Sequence, residues 1–313
     1  MRIFEKAEKP TLYFIGVTTT HSSIMRIFPE WAKALDLKDA VIKGIDIGIH
    51  ADPAEYREVV AFIRDDERSA GALVTTHKID LYEACRDMFG YLDPYAAAFG
   101  ELSSISKKNG RLEGYAKDPI SSGLSMDAFI PAGYWVDHGG EVFIMGAGGS
   151  AIAIGAYLMK AEWGDNRPSR IVIANRSQPR LEEIRRIFAG LNRGIPVEYH
   201  LTPETSQNDA ILAGLRPHSL VVNATGLGKD RPGSPLSDAC LFPVKSLVWE
   251  LNYRGDLKFM HQARSQWQER NLHVEDGWIY FIHGWTQVIA EVFHIDIKGE
   301  AFEACERIAM AMR

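Results

Sequence analysis

The stretch EVFIMGAGGSAIAIGAYLMK, residues 141–160, decides the fold. The apolar run at 141–145 predicts a buried strand, and the helix-length segment from residue 151 onward predicts a helix. A diphosphate needs backbone N–H groups within hydrogen-bond distance, glycines that permit this approach, and a helix N-terminus facing the anion. The order strand, glycine turn and helix therefore predicts a dinucleotide-binding site. Its turn consists of Gly146, Ala147, Gly148, Gly149 and Ser150.

The next predicted strand, SRIVIANRS, indicates which dinucleotide binds. Sites that prefer NAD usually end this strand with an acid that binds the ribose hydroxyls. Here the strand ends in Asn175, Arg176 and Ser177, with Arg180 nearby. A cation and hydroxyl or amide donors suit a 2'-phosphate, so the sequence favours NADP, although Arg176 is also compatible with a solvated turn.

Two further features bear on the same predicted site. Asn223, Ala224 and Thr225 end the strand LVVNATGLG, where they form either a wall for the cofactor ribose or nicotinamide or an ordinary turn. The glycine turn departs from strict G-x-G-x-x-G spacing. Gly155 either allows close helix packing or is an ordinary small helix residue.

Outward from this stretch, β-rich runs alternate with amphipathic helical segments along the chain. Asn109-Gly110 lies between two alternating runs and predicts a β-hairpin, which makes the first sheet mixed. The polar break DHGG marks a domain boundary. We predict an α/β fold of two domains, an N-terminal α/β substrate domain (1–136) and a C-terminal Rossmann-type domain with a doubly wound parallel sheet (137–279). Helices fill much of 256–313, and those at 280–313 are expected to pack back on the first domain.

Composition narrows the class of protein. The chain has 313 residues, 46% hydrophobic and 24% charged, with a formal net charge of -6. These values predict a globular protein and argue against nucleic acid as a partner. Cys85, Cys240 and Cys305 are far apart and lack metal-ligand spacing, so neither a disulfide framework nor a metal site is expected. No apolar run approaches the roughly 18 residues of a membrane span, and we expect a reduced, cytoplasmic protein.

Lys78 and Asp118 are the candidate acid-base pair. Each follows a predicted strand of the first domain. Oxidising a secondary alcohol requires removal of the hydroxyl proton as hydride leaves, and a lysine polarised by a carboxylate is suited to this. Taken singly, each residue is more often a surface charge, and the sequence does not show that they meet.

The order of these segments resembles the shikimate dehydrogenase family over most of the chain. The matching segments, in chain order, are GVTTTHSS (16–23), GALVTTHK (71–78), GELSSI (100–105), GYAKDPISSG (114–123), GAGGSA (146–151), NRS (175–177), VNATGLG (222–228), WELNYRG (249–255) and EDGWIYFIHGW (275–285). The resemblance implies a substrate domain and an NADP domain that face each other across a cleft. It also implies a cytoplasmic oxidoreductase of aromatic amino acid biosynthesis that acts on a ring carboxylic acid.

Site roles follow from the resemblance, residue by residue. Lys78 is implied as the catalytic lysine and Asp118 as its partner. Ser22 and Ser23 are implied at the substrate carboxylate. The remaining implied positions are Thr75 and Ser103 at substrate hydroxyls, His283 at a ring hydroxyl, and Tyr253 and Gly277 near the nicotinamide.

The departures from the family pattern fall in the substrate segments. Ser22 and Ser23 are adjacent where the family has Ser-x-Ser, and the lysine loop lacks its asparagine and proline, so that either Val74 or Thr75 occupies the threonine position. Ser103 replaces an asparagine. Further departures are Ala116 and Lys117, which replace Asn-Thr before Asp118, and His283, which replaces a glutamine.

These departures leave several functions open. The leading prediction is reversible hydride transfer between NADP(H) and the pair shikimate and 3-dehydroshikimate. The alternatives are a paralogue acting on quinate, an aminoshikimate or another ring acid, a less favoured folate-type dehydrogenase, and a non-catalytic NADP-binding sensor. Arg26 is a candidate carboxylate clamp or a solvated helix residue. The predicted oligomeric state is monomer or homodimer.

Overall fold

The computed structural model describes residues 4–192, 194–229 and 231–313. The chain divides into two compact units. The first comprises the residues up to Lys117 together with Gly284–Arg313, and the second is Asp118–His283. The predicted α/β class with a mixed and a parallel sheet is confirmed.

The first unit contains a six-stranded mixed sheet of order β2-β1-β3-β5-β6-β4. Its strands are β1 Thr11–Gly16, β2 Val41–Asp46, β3 Ser69–Val74, β4 Tyr91–Leu92, β5 Ser104–Lys108 and β6 Arg111–Tyr115. β1 is parallel to β2 and β3, whereas β5 is antiparallel to β3 and β6. Every residue of β1 is buried, as expected for a central strand.

The predicted hairpin at Asn109-Gly110 joins β5 to β6 and is confirmed. Both residues have positive φ, 51° and 75°. A two-residue loop with both residues in the left-handed region matches the twist of the flanking strands, and Asn-Gly tolerates this geometry best.

The helices of the first unit cover its sheet and tie in the chain terminus. They are α1 Ile24–Ala34, α2 Pro53–Asp65, α3 Lys78–Cys85, α4 Pro94–Phe99 and α13 Glu300–Ala311. Trp31 of α1 donates its indole N–H to the Cys305 carbonyl in α13 at 2.8 Å. This bond joins helices that are far apart in sequence.

The second unit contains a parallel sheet of order β9-β8-β7-β10-β11-β12. Its strands are β7 Val142–Met145, β8 Ile171–Asn175, β9 Val197–Leu201, β10 Leu220–Asn223, β11 Leu247–Glu250 and β12 His273–Glu275. This is the 3-2-1-4-5-6 order of dinucleotide-binding folds, and the order reverses between β7 and β10. The glycine turn follows β7, so the fold brings it to that switch point.

The remaining helices belong wholly or partly to the second unit. They are α5 Asp118–Asp127, α6 Tyr134–His138, α7 Gly149–Leu158, α8 Gln178–Leu191, α9 Thr205–Ala213, α10 Lys258–Arg264, α11 Trp267–Arg270 and α12 Trp278–Phe293, with a single 3-10 turn at Ala161–Trp163. The 3-10 turn at Arg86–Met88 belongs to the first unit. Within the described ranges, no helix combines the length and apolarity needed to cross a bilayer.

The sequence predicts a domain boundary at residue 137, and the compact units of the structure divide at Asp118. Within the second unit, α5 packs closely on α7. A Cβ on Gly123 of α5 would overlap the Tyr157 ring of α7. The stretch 256–313, expected to be helical for much of its length, also contains β12. A strand of three residues is too short to show a period of two.

Candidate functional site

The glycine turn forms the centre of the candidate site in the second unit. Gly146 has φ of 118°, and a Cβ on it would lie 2.5 Å from the carbonyl oxygen of Ala224, so only glycine fits there. Gly148 is the N-cap of α7 and offers no side-chain cap, and a Cβ on it would meet no atom within 4 Å. Among the described residues, no side chain caps the N-terminus of α7, and the backbone at Gly148 is uncrowded. This arrangement can bind an anion.

Arg176 and Arg180 are exposed at the end of β8 and the start of α8. Within the described part of the chain, neither guanidinium takes part in a salt bridge. Arg170, by contrast, binds Glu141 and Glu198. Ser177 is the N-cap of α8 but its side chain makes no cap bond, and Asn175 donates its amide to the Ser177 carbonyl at 3.3 Å. The end of β8 therefore presents two cations that are available to a ligand.

The end of β10 carries a hydrogen-bonded loop. The Thr225 hydroxyl donates to Asn223 Oδ1 at 2.7 Å, and Asn223 Nδ2 donates to Glu250 Oε2 at 2.8 Å. Glu250 also accepts from the side chain of Asn252 at 2.7 Å. Burial raises the pKa of Glu250 to about 7. Sequence reasoning missed Glu250 and Asn252, although a charged residue at the end of an apolar strand was a visible signal.

Tyr253 and Gly277 follow β11 and β12, at the same edge of the sheet. The Tyr253 ring packs against Trp278 and Phe281, with ring centroids 5.3 and 4.9 Å apart. A Cβ on Gly277 would overlap the carbonyl oxygen of Leu251, so glycine allows the two backbones to approach. The predicted cofactor residues thus lie along one carboxyl edge of the second sheet, where parallel-sheet sites form.

In the first unit, the predicted substrate residues also share one sheet edge. Ser22 and Ser23 follow β1, and Thr75 follows the adjacent parallel strand β3. Both serines are half-buried and, within the described residues, neither hydroxyl makes a hydrogen bond. Asp46 at the end of β2 anchors their loop by accepting from the Thr19 hydroxyl at 2.6 Å.

Of the two residues proposed for the threonine position before Lys78, only Thr75 carries a hydroxyl. Val74 is a fully buried apolar residue at the end of β3. Thr75 is half-buried, and its hydroxyl lies 3.3 Å from the Ile15 carbonyl, to which it donates. Thr75 is therefore the residue of this pair that presents a polar group at the edge.

Lys78 and Asp118 each begin a helix. Lys78 is the first residue of α3 in the first unit, and Asp118 is the first residue of α5 in the second. Both are half-buried, and both have interaction partners. His77, the neighbour of Lys78, is buried and fixed by a 3.1 Å hydrogen bond between its Nδ1 and the Tyr56 hydroxyl. This bond holds the backbone at the start of α3.

Ser103 and His283 are more buried than the other predicted substrate residues. Ser103 is 2% exposed, and its hydroxyl accepts from the Lys117 N–H at 2.7 Å and lies 3.4 Å from the Tyr115 carbonyl. The hydroxyl thus supports the backbone that precedes Asp118. Burial lowers the pKa of His283 to about 4, so its imidazole is neutral at physiological pH. A neutral imidazole can both donate and accept a hydrogen bond.

Other candidates lie at the surface or in the core. Arg26 is exposed in the first turn of α1. The three cysteines are buried and free, without disulfide bonds. Throughout the described ranges, no three His, Cys, Asp or Glu side chains are grouped so as to hold a metal ion. A Cβ on Gly155 would overlap the buried ring of Phe188, so Gly155 allows close packing of α7 on α8.

The chain is similar in sequence and in fold to known proteins. No family model matches the chain. The chain is 31% identical over 219 residues to the shikimate dehydrogenase (NADP(+)) of Symbiobacterium thermophilum, covering 68% of this chain and 67% of that one. It is 28% identical over 176 residues to the enzyme of the same name from Lactococcus lactis, covering 56% of this chain and 58% of the relative, which is less than two thirds of its length.

A solved structure shows the same fold. Shikimate 5-dehydrogenase of Thermus thermophilus, in complex with NADP(H) and shikimate, matches with a TM-score of 0.71 and 20% identity, covering 97% of this chain and 99% of that one. At this identity the likeness shows the fold alone, whereas the Symbiobacterium relative shows the family through sequence. The chain belongs to the shikimate dehydrogenase family.

Proposed function

We propose that the protein is an NADP-dependent dehydrogenase. It interconverts a secondary alcohol and a ketone on a cyclic polyhydroxy carboxylic acid, with shikimate and 3-dehydroshikimate as the first pair to test. The observation that carries the proposal is the carboxyl edge of the second sheet, where the uncapped α7 N-terminus lies beside the exposed Arg176 and Arg180. The names and complexes of its relatives support the same assignment. The proposal includes a cytoplasmic location and a monomer or homodimer.

The residues of the second unit fit NADP. Open space at Gly148 leaves room for a diphosphate against the N–H groups of α7. Arg176 and Arg180 suit a 2'-phosphate, because guanidinium groups form charge-assisted bonds to phosphate oxygens. The loop after Asn223 supplies a wall on the other side of the glycine turn, since Ala224 touches Gly146.

Bound NADP+ supplies the acceptor for the hydride that leaves the substrate carbon. In this proposal the amine of Lys78 takes the hydroxyl proton of the alcohol, and the carboxylate of Asp118 stabilises the resulting ammonium. Ser22 and Ser23 donate to the substrate carboxylate with their open hydroxyls, and Arg26 is available as a cation at the same helix start. The neutral imidazole of His283 provides a hydrogen bond to a ring hydroxyl.

A second candidate function is the same chemistry on a different ring acid, such as quinate or an aminoshikimate. The hydroxyl of Ser103 favours this alternative, because it bonds the backbone next to Asp118 where a free group is expected at a substrate hydroxyl. The sensor alternative predicts NADP binding without turnover.

The experiment is an absorbance assay of NADPH formation with NADP+ and a panel of shikimate, quinate and amino analogues. We expect turnover of one ring acid, and loss of at least about a thousandfold in kcat for Lys78→Ala with NADP+ affinity unchanged. Lys33→Ala, an exposed lysine paired with Glu30, is the matched control and should retain full activity. NADP+ binding without turnover of any acid would leave the sensor as the remaining interpretation. Absence of NADP+ binding would contradict the proposal.

A further inference from the structure

Glu250, at the end of β11, is fully buried beside the candidate cofactor site. Three donors surround its carboxylate. Oε1 accepts from the Asn252 backbone N–H at 2.9 Å and from Asn252 Nδ2 at 2.7 Å, and Oε2 accepts from Asn223 Nδ2 at 2.8 Å. A buried carboxylate is stable only when its lone pairs are satisfied in this way.

Backbone partners fix the orientation of both amides. Asn223 Oδ1 accepts from the Thr225 N–H at 3.1 Å, while its Nδ2 donates to the Leu227 carbonyl at 3.2 Å. Asn252 Nδ2 donates to the same carbonyl at 3.0 Å. Since N–H groups only donate and carbonyls only accept, neither amide can be reversed without losing bonds. All three bonds to the Glu250 carboxylate are therefore donated by its partners. The ionised carboxylate accepts all of them, whereas a protonated carboxyl would direct its own O–H at a donor.

These bonds hold the loop 224–228, in which Ala224 lies close to Gly146 of the glycine turn. Thr225 and Leu227 are tied to Asn223 and Asn252, and the Thr225 hydroxyl also accepts from the Leu227 N–H at 3.1 Å. The carbonyl oxygen of Ala224 in this loop is the atom that a Cβ on Gly146 would approach to 2.5 Å. The position of the loop thus sets the width of the site at the switch point.

We propose that Glu250 is a positioning residue for the cofactor: its carboxylate, through Asn223 and Asn252, holds the loop 224–228 against the glycine turn in the arrangement that binds the dinucleotide. The inference rests on the proposed function, because NADP is the ligand whose affinity reports it. Glu250 itself, being buried, makes no contact with the ligand.

The ionisation of Glu250 gives this role a pH signature. Burial raises the pKa of Glu250 to about 7, Asp256 adds to the rise, and the bonds from Asn252 and Asn223 oppose it. Within the described ranges, the other charged or titratable groups on the adjoining strand, loops and helix are Lys229, Arg231, Tyr253, Arg254, Lys258, His261, Arg264, His273, Glu275 and Asp276. A proton on Glu250 would point at a donor, so its hold on the loop weakens as the pH falls through about 7.

As the pH falls, the free energy of unfolding changes in the opposite direction to the affinity for NADP+. The folded-state pKa of Glu250 lies above its ordinary value of 4.5, so between these values the folded protein binds more protons than the unfolded chain. This group therefore raises the free energy of unfolding as the pH falls from about 7 to 4.5, while cofactor affinity decreases. A residue with a merely structural role would not separate the two readouts.

The test is the dissociation constant of NADP+, titrated by quenching of tryptophan fluorescence from pH 6 to 8.5. Glu250→Gln places an amide donor against either Asn223 or Asn252 in each of its two orientations. We expect it to weaken NADP+ binding about tenfold at pH 8. It should also remove the part of the wild-type pH dependence that Glu250 causes, because the 2'-phosphate of the ligand titrates alike with both proteins. Glu275→Gln, on the next strand and paired with His273, is the matched control and should bind like wild type.

A double variant tests the geometry itself. In Asn223→Asp with Glu250→Gln, the glutamine amide donates to the new carboxylate, which still accepts from Thr225, and net charge is preserved. The Leu227 carbonyl loses its bond from residue 223 and keeps the bond from Asn252. We expect this variant to recover part of the affinity that Glu250→Gln loses. Equal NADP+ affinity for wild type and Glu250→Gln, or an unchanged pH profile, would overturn the positioning role and leave NADP binding intact. Failure of the wild type to bind NADP+ would overturn the proposed function and this inference together.

Discussion

The two sheets of this molecule present their candidate sites by different means. In the second unit, the candidate anion site is made of backbone, with the N–H groups of α7 and the close approach of Gly146 to Ala224. In the first unit, the candidate site is made of side-chain hydroxyls. A backbone site follows from chain geometry, whereas a hydroxyl site depends on whether each hydroxyl is already bonded. The comparison indicates that family motifs predict the candidate site residues of the second unit more directly than those of the first.

The serines of the first unit illustrate this dependence. Ser22 is half-buried, and its hydroxyl makes no hydrogen bond within the described ranges. Ser103 is 2% exposed and its hydroxyl holds the Lys117 N–H at 2.7 Å. Both residues look equivalent in the sequence, as hydroxyls in family segments. Only the packing separates a group that can reach a ligand from one that supports the backbone.

The largest effect expected from this comparison is at Arg176. Arg176→Ala should raise the KM for NADP+ about tenfold or more, because one charge-assisted bond to a phosphate contributes about 1.5–3 kcal/mol. The KM for NAD+ should change little. Arg186→Ala, an exposed arginine of α8 paired with Glu183 at 2.8 Å, is the control and should leave both values unchanged. A similar rise in the KM values for NADP+ and NAD+ would show that Arg176 does not bind the 2'-phosphate.

Much of the fold was predictable for the same physical reason. Apolar runs bounded by glycine identified β7 and α7, and Asn109-Gly110 identified the hairpin, because each pattern corresponds to one backbone geometry. β12 and β4 were missed because strands of two or three residues carry no period. The packing of α5 on α7, which joins α5 to the second unit, is a tertiary contact that sequence periodicity does not contain.

The second prediction tests the backbone-determined region at Gly155. Gly155→Ala should lower the free energy of unfolding by about 1–3 kcal/mol, because the added methyl overlaps the Phe188 ring, which is 1% exposed and would have to shift within the core. Gly190→Ala, on α8, meets no atom within 4 Å and should leave stability unchanged or raise it slightly. Thermal unfolding of both variants checks the result. Equal melting temperatures would mean that α7 and α8 separate at little cost.

The sequence predicted some residues of the candidate site but not their hydrogen-bond partners. The cofactor residues could be identified because they lie at the ends of parallel strands, a position readable from the chain. Glu250 and Asn252 were missed because their role depends on bonds to Asn223, which is in a different strand. The same limit applies to Ser103, whose partner Lys117 lies beyond a hairpin. Positions at strand ends can be predicted from sequence, but the partners of buried polar groups need coordinates.

The smallest expected effect separates the two kinds of serine directly. Ser103→Ala should lower the free energy of unfolding by about 1 kcal/mol, because the partly buried Lys117 N–H loses its acceptor. The KM for the ring acid should change less than about twofold. Ser22→Ala should show the reverse pattern, with an unchanged melting temperature and a KM raised several-fold, since its hydroxyl is open. Melting temperature and KM measured on both variants decide the matter. If Ser103→Ala instead raised KM without loss of stability, its hydroxyl would have to leave the backbone to meet the substrate, and the two units would differ less than their hydrogen bonds indicate.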